Sequence, residues 1–461
     1  MKDEKKIIIL LVFLFSLVQP ALGQNFDPVL KRLIHKAVKK NHDIKIKSYQ
    51  IEQTRLDRQK AYKTFLPQLS LNASYTHLND AIVLDPQLQL LLHGTEKLLI
   101  KEQLGIPFNA ALPPGIPTTD IPPVVKQNNL KTSADLNWII FSGLEATYAI
   151  KATKHQEKAL TFAQKIAQKN TVKEIIETYD QLALVDASEN VLNQMDEQLK
   201  IQEKKVKMAV KNGLAIQLDL NRIALAKQNL KIKRNEVQRN RTLLQTKLAQ
   251  LTGEKMSFIK RLHPDLKPIL LPVNQLNGST KPVEISSLEE AAKAKQYQQK
   301  MAYSKYIPKI AIKGHYELRD KDLSMFDPKW YIGIGAKWQI FDGLKAYDDA
   351  RKTQAEVKIY QEKIANAKEL LNLASQNAEL NYKIALKQIE MQKKAVDLAK
   401  QTYLLVEKQY QNGLTDITKV LSALTNWQKA KFNLQKTYLQ QRKAAAELLY
   451  RKDLLTQLLN K

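Results

Sequence analysis

Four stretches of the chain alternate apolar and polar residues with a period of two, the pattern of a strand with two unlike faces. In the first, Leu69, Leu71, Ala73 and Tyr75 share one face, with Ser70, Asn72, Ser74 and Thr76 on the other. The second sets Leu130, Ala134, Leu136, Trp138 and Ile140 against Lys131, Ser133, Asp135 and Asn137. The third opposes Ile310, Ile312, Tyr316 and Leu318 to Lys313, His315, Glu317 and Arg319. In the fourth, Trp330, Ile332, Ile334, Trp338 and Ile340 oppose Tyr331, Gly333, Lys337 and Gln339. The expected strands are therefore about 67–79, 130–141, 309–320 and 330–341. Each has roughly the ten residues that a tilted strand needs to cross a bilayer. Tyr75, Trp138, Trp330 and Trp338 lie near strand ends, where membrane-interface aromatics sit. An amphipathic sheet lying on a soluble core would show the same alternation.

The period then changes. No Gly or Pro occurs between Gly143 and Gly213, nor between Gly343 and Gly413. Each tract is about 68 residues, or ~100 Å as helix. Tyr382, Ala385, Ile389, Gln392, Val396, Ala399, Tyr403, Val406 and Tyr410 follow a near-heptad stripe. Val172, Ile175, Tyr179 and Leu182, then Leu192, Met195, Leu199 and Val206, do the same with one phase shift. Stripes of this kind bury against neighbouring helices. The chain turns at Asn212-Gly213-Leu214 and at Asn412-Gly413-Leu414, and returns as a second helix over about 216–252 and 415–458. Gly past a helix end takes the left-handed conformation cheaply.

These elements come twice. "NWIIFSGLEA" (137–146) and "KWQIFDGLKA" (337–346) are 200 residues apart, with Trp138 on Trp338, Phe141 on Phe341 and Gly143 on Gly343. The two Asn-Gly-Leu turns keep the same offset. Each joint passes from strand to helix, and Asp342 is placed to cap the helix that begins near Gly343. "FLPQLSLNASYTHLND" (65–80) matches "YIPKIAIKGHYELRD" (306–320) at an offset of 241, so the first half carries 41 extra residues between its strands. That insertion, 80–128, is rich in Pro and reads as a long loop with a short helix near "LQLLLHGTEKLLIKEQL". The organisation is thus a first repeat over 24–253 (hairpin 144–253), a linker over 254–285, and a second repeat over 286–461 (hairpin 344–458).

The N-terminus places this pattern in a compartment. A charged start, the apolar run 7–18, and Ala21 and Gly23 before a plausible cut read as a signal peptide over 1–23. The chain holds no cysteine, which excludes disulfides, thiolate metal sites and lipidation of a mature N-terminal Cys. Its formal charge is +27. The Lys residues are spread along helical segments with Glu nearby, a solvated face rather than a nucleic-acid patch. The seven His show no metal-binding spacing, and no phosphate-binding loop, nucleophile elbow or dinucleotide fingerprint occurs. No enzyme and no cofactor are expected.

Four strands cannot close a barrel, since the smallest single-chain barrels have about eight. Open sheet edges in lipid are forbidden, so copies must assemble. Three would supply twelve strands, and four copies remain open on this count alone. At this point the order of elements resembles the TolC family of outer-membrane efflux proteins over nearly all of the mature chain, most specifically at the "FSG" and "FDG" joints and the "NGL" turns. The resemblance implies a membrane α+β fold: a trimeric outer-membrane β-barrel, four strands per chain, continued by a periplasmic α-helical barrel of coiled-coil hairpins. It implies an exit duct for efflux or type I secretion. The implied partners are two further copies, a periplasmic adaptor, an inner-membrane transporter of RND or ABC type, and outer-membrane lipid, with no nucleic acid. By the same resemblance the tips Gly213-Leu214 and Gly413-Leu414 meet the adaptor; as helix caps they would need no partner, and both uses stay open. Aperture candidates are Asp219, Thr415, Lys419 and Ser422. A well-studied member places an Arg and two Asp where this chain has the last three, so its acidic ring is not implied here. A soluble periplasmic coiled-coil adaptor is the alternative, and the four strands discriminate against it.

Overall fold

The computed structural model describes residues 27–117, 119–272, 281–319 and 327–459. The signal peptide expected over 1–23 lies outside them. In chain order the main elements are α1 (Pro28–Lys40), α2 (His42–Lys63), β1 (Gln68–His77), α3 (Pro86–Gln103), β2 (Asn128–Phe141), α4 (Glu145–Lys211), α5 (Gln217–Thr252) and α6 (Met256–Ile259). Then follow α7 (Val283–Tyr303), β3 (Lys309–Glu317), β4 (Trp330–Lys337), α8 (Lys345–Gln411) and α9 (Ile417–Arg451). The repeat is more complete than its strands and hairpins. α4 and α8 each have 67 residues and start 200 apart, while α2 and α7, which lead into β1 and β3, start 241 apart.

The chain divides into two compact units. One comprises residues 55–154 and 294–356 and holds the sheet. Its four strands form an antiparallel sheet in the order β1-β2-β3-β4. In the first hairpin Gln68 faces Asn137 and Tyr75 faces Leu130; in the second, Lys309 faces Lys337 and Tyr316 faces Trp330. The apolar face carries Leu71, 74% exposed, and Ile334, 73% exposed, with Leu69, Trp330 and Ile332 also exposed. A sheet lying on a soluble core would bury that face, so this alternative from the alternation pattern is set aside. The other face holds a polar network. Asp135 accepts from Asn72 Nδ2 at 2.5 Å and Ser133 Oγ at 2.8 Å, lies 2.6 Å from His315 Nδ1, and Lys131 Nζ lies 2.6 Å from Asp327.

The fourth strand stops short of expectation. It leaves the ladder at Lys337, so Trp338, Ile340 and Phe341 are not paired. The register would set Trp338 opposite Pro308, which has no N–H to offer. β2 escapes the same limit because β3 carries it on to Phe141, through an irregularity at Ile139.

The other unit comprises, among the described residues, 27–54, 155–293 and 357–459. Its main core joins Leu30, Leu33 and Ile34 of α1, Ile175 and Leu182 of α4, Leu248 of α5, Tyr382 of α8 and Leu448 of α9. Each buried Leu or Ile contributes about 1.5–3 kcal/mol. α1 is fixed at its start by Asp27, which caps Val29 N at 2.8 Å and accepts from the Tyr179 hydroxyl. Burial, then Asp27, pushes that phenol well above its ordinary range. Residues 262–272 contain no long element, yet Leu262, Leu266, Ile269 and Leu271 are buried. Gln441 brackets Ile269 (N–H to Oε1 2.9 Å, Nε2 to carbonyl 2.6 Å), and the Tyr382 hydroxyl accepts from Leu271 N at 2.7 Å. This segment is a buried strap.

Candidate functional site

The hairpin tips are built alike. Leu214 N–H reaches back to the Ala209 carbonyl (2.8 Å) and Gly213 N–H to Val210 (3.1 Å); Leu414 to Gln409 (2.9 Å) and Gly413 to Tyr410 (3.0 Å) repeat the pattern. Gly213 and Gly413 have φ of 71° and 70°. These are paired helix-closing bonds that satisfy the last carbonyls through a left-handed residue. The hydrophobic contact that usually accompanies such a cap does not cover the leucines: Leu214 is 81% exposed and Leu414 76%. The caps account for the glycines and leave the two leucines projecting. Asn212 and Asn412 are exposed beside them.

Below the turns the two hairpins pack together. Leu199, Val206, Ile223, Tyr403, Ile417, Val420 and Leu424 form one buried cluster, and Tyr403 stacks on Trp427 at 5.4 Å. Gln202 Nε2 bonds the Tyr403 hydroxyl (3.0 Å) and Glu407 (2.7 Å), and Lys205 lies 2.6 Å from Glu407.

The return helices start differently. α5 has Ile216 at its cap position, so the task falls to Asp219, whose carboxylate accepts from Ile216 N at 3.4 Å and pairs with Arg222 at 3.3 Å. α9 is capped by Asp416, which accepts from Thr418 N (2.7 Å) and Lys419 N (3.2 Å). Asp416 was not among the candidates, although an Asp three residues past Gly413 is a recognisable cap signal. The hydroxyl of Thr418 and these backbone bonds hold its carboxyl below the usual range. A carboxyl lowered in the folded state stabilises above its unfolded value and loses that contribution as pH falls through the folded one. Acidification is therefore expected to lower the protection factors of the amides at residues 417–420, measured against their intrinsic exchange rates, and in Asp416→Asn, which keeps the acceptor without the charge, this loss of protection should disappear. Of the other aperture candidates, Thr415 is half-buried with its hydroxyl unpartnered, and Lys419 and Ser422 are exposed along a groove with Thr402 and Asn426.

The strand–helix joints repeat the same pair of bonds. Trp138 Nε1 donates to the Phe65 carbonyl and Trp338 Nε1 to the Tyr306 carbonyl, both at 2.9 Å. Ser142 Oγ accepts from Ala146 N at 3.3 Å, and Asp342 Oδ2 from Ala346 N at 2.9 Å, so Asp342 caps α8 as expected. Asp342 Oδ1 also accepts from the Tyr306 hydroxyl at 3.1 Å. After Gly143 and Gly343 come Leu144 and Leu344, with φ of 67° and 65°. Two successive left-handed residues reverse the chain from strand into helix, and the second is a leucine at both joints. Phe341 is exposed; Phe141 is half-buried. Trp138→Phe and Trp338→Phe keep ring and lose donor, each expected to weaken the joint by about 0.5–1.5 kcal/mol. The temperature at which the sheet's far-UV signal is lost would fall in both.

Among the described residues, no group of three or more acidic or His side chains could hold a metal ion, and no helix is long and apolar enough to cross a membrane. The element with an uncovered apolar face is the sheet. Its exposed apolar face, its polar second face and the paired joints define a chain that contributes strands to a barrel and helices to a tube.

The comparisons agree with this class. Residues 284–451 match the outer membrane efflux protein family model. Over nearly its whole length the chain has the fold of outer-membrane channels. It is similar to the outer membrane protein VceC of Vibrio cholerae at TM-score 0.72 and 14% identity, covering 92% of this chain and 96% of that one. The CmeC outer membrane channel of Campylobacter jejuni gives 0.70 and 17%, with 92% and 86% covered. CusC, described for its transmembrane channel formation, gives 0.72 and 16%, with 95% of each covered. No curated protein sequence matches. The soluble-adaptor alternative accounts neither for the outer-membrane-channel fold nor for the uncovered apolar face.

Proposed function

We propose that this chain forms, as a homotrimer, the outer-membrane exit duct of a tripartite efflux system, passing cargo from a periplasmic adaptor and an inner-membrane transporter to the outside. A type I secretion partner fits the same geometry. The observation that carries the reading is the pair of strand–helix joints. Each hands an apolar-faced strand directly to a 67-residue helix, so the wall of a membrane pore continues as the wall of a long tube. The chain has no energy-coupling motif, and conduction is passive, with the transporter driving flow.

The projecting leucines supply the adaptor contact in this reading. Leu214→Asp together with Leu414→Asp changes residues that the caps do not need covered. The double variant is expected to reach the outer membrane as the same heat-modifiable oligomer and to fail to restore dye efflux to cells lacking the wild-type chain. Full restoration would remove the tips from the adaptor interface; wild-type chain that leaves efflux unchanged would overturn the duct itself.

Lys419 is proposed to line the inner aperture, where symmetry gathers like charges and favours anions. Lys419→Asp should then shift the reversal potential in planar bilayers toward cation selectivity. Unchanged selectivity would take Lys419 out of the lumen.

A further inference from the structure

The two repeats obey one pairing rule, and the rule leaves a residue-level vacancy at both edges of the sheet. Moving β1 by 241 and β2 by 200 converts the first hairpin's register into the second's: Gln68↔Asn137 becomes Lys309↔Lys337, and Tyr75↔Leu130 becomes Tyr316↔Trp330. The indole bonds from Trp138 to Phe65 and from Trp338 to Tyr306 obey the same two offsets. The boundary between repeats, β2 against β3, is seen once in the chain. Its counterpart, β4 against a β1, has no occupant within it.

We infer that a second copy of this chain fills the vacancy in one definite register, with β4 of one copy antiparallel to β1 of the next and Lys337 opposite Asn72. The inference rests on the trimeric-duct reading and specifies its seam. Transposing the β2–β3 pairs Asn137↔Lys313, Leu136↔Gly314, Asp135↔His315 and Ala134↔Tyr316 sets Lys337 opposite Asn72, Ala336 opposite Ala73, Gly335 opposite Ser74 and Ile334 opposite Tyr75.

Three independent observations agree. First, the transposed register keeps the faces: Ile334 and Tyr75 fall on the apolar side, Lys337 and Asn72 on the polar side. A slip of one residue would exchange every side chain between lipid and lumen. Second, β1 and β4 are exposed along their whole lengths, whereas β2 and β3 are partly covered. Third, β2 continues to Phe141 because β3 pairs with it beyond the reach of β1, while β4 stops at Lys337. A neighbouring β1 would supply the missing partner and extend β4 through Trp338.

The joint supplies a steric counterpart. A Cβ on Gly143 would sit 2.8 Å from the Ile307 carbonyl oxygen and 3.3 Å from that of Pro308, whereas a Cβ on Gly343 would meet nothing within 4 Å. Ile307 and Pro308 transpose to Leu66 and Pro67. Gly343 therefore lies open in one chain because the backbone that presses on it belongs to the next.

The chain has no cysteine of its own, so introduced pairs are its only thiols. In isolated outer membranes, mild oxidation of the Lys337→Cys/Asn72→Cys variant should convert the monomer band into covalent oligomers on non-reducing electrophoresis. Lys337→Cys with Ser70→Cys or with Ser74→Cys, shifted by two residues on the same face, should remain largely monomeric. More complete cross-linking by either shifted pair would overturn the register. So would no cross-linking by any pair in membranes whose non-covalent oligomer is intact. If the wild-type chain forms no oligomer, the duct reading fails instead. A second variant avoids thiols. Asn tolerates positive φ, so Gly343→Asn isolates the missing space. It should lower the temperature at which the oligomer dissociates, whereas Gly413→Asn, at φ 70° and equally open within the chain, should not. Equal behaviour of the two would remove the Leu66 contact.

Discussion

Asp180→Ala is expected to destabilise the helical unit by about 3–5 kcal/mol, the cost of leaving one member of a buried ion pair alone. Asp180 on α4 is 1% exposed, and its Oδ1 lies 2.6 Å from Arg442 Nη2 on α9. Arg442 Nη1 also donates to the Lys267 carbonyl at 2.9 Å, so the same guanidinium pins the buried strap between the repeats. Burial raises the Asp180 carboxyl above its usual range, and the Arg442 hydrogen bond and charge pull against that rise. The net direction says that desolvation is the larger effect at this site. Removing the carboxylate strands the guanidinium; removing both charges does not. Asp180→Leu with Arg442→Met should therefore recover much of the loss, because paired apolar replacements avoid both desolvation costs. Urea unfolding of the detergent-solubilised protein, followed by its helical circular dichroism, compares both variants with the wild type. A single-variant loss under about 1 kcal/mol, the size of an exposed pair, would show that water reaches Arg442.

This pair marks the boundary of what the sequence could reveal. The strands were legible because one face of each is apolar over four or more alternate positions, and the joints because Trp, Phe and Gly recur without slip. The tips were legible as Asn-Gly-Leu, and their geometry repeats to within a few degrees at Gly213 and Gly413. α2 was missed for a physical reason. Only Ile44 and Thr54 of its 22 residues are buried, so it has no apolar stripe to read. α7 hides in an Ala- and Gln-rich stretch whose register relative to α2 shows only once the offset of 241 is carried upstream of the strand. β4 ends before its alternation does, because alternation reports faces, not partners, and Trp338 has Pro308 across from it. The cap at Asp416 does not show in the repeat, because the first repeat places Ile216 there and moves its acid to position 219. Long-range charge pairing is the least legible feature of all. Asp180 and Arg442 are 262 residues apart, and their counterparts at the repeat offset are Leu380 and Thr242, so the internal symmetry gives no hint of the pair.

Lys169→Met is expected to carry a loss of the same order, about 3–5 kcal/mol, with a pH signature of its own. Lys169 on α4 is 2% exposed; its ammonium lies 3.0 Å from Glu284 at the start of α7, bonds Asp453 beyond α9, and sits 4.3 Å from the centre of the Tyr450 ring. Asp453 is left-handed, with φ of 57°, and its second oxygen accepts from Val283 N at 3.2 Å. The knot thus ties α4, the start of α7 and the chain after α9. Burial lowers the Lys169 pKa, but the Asp453 hydrogen bond and the charges of Glu284 and Asp453 outweigh it, so the amine is held above its ordinary 10.5. A folded pKa raised above the unfolded one gives stability that is complete below 10.5 and lost as pH climbs through the folded value. On the alkaline side the difference between wild type and Lys169→Met should therefore stay flat from neutral pH upward and narrow above 10.5. Lys169→Arg, which keeps the cation and cannot lose its proton in this range, should hold its stability further into alkali than wild type. A wild-type advantage that fades between neutral pH and 10.5 would show that Lys169 is not the group whose ionisation holds the knot.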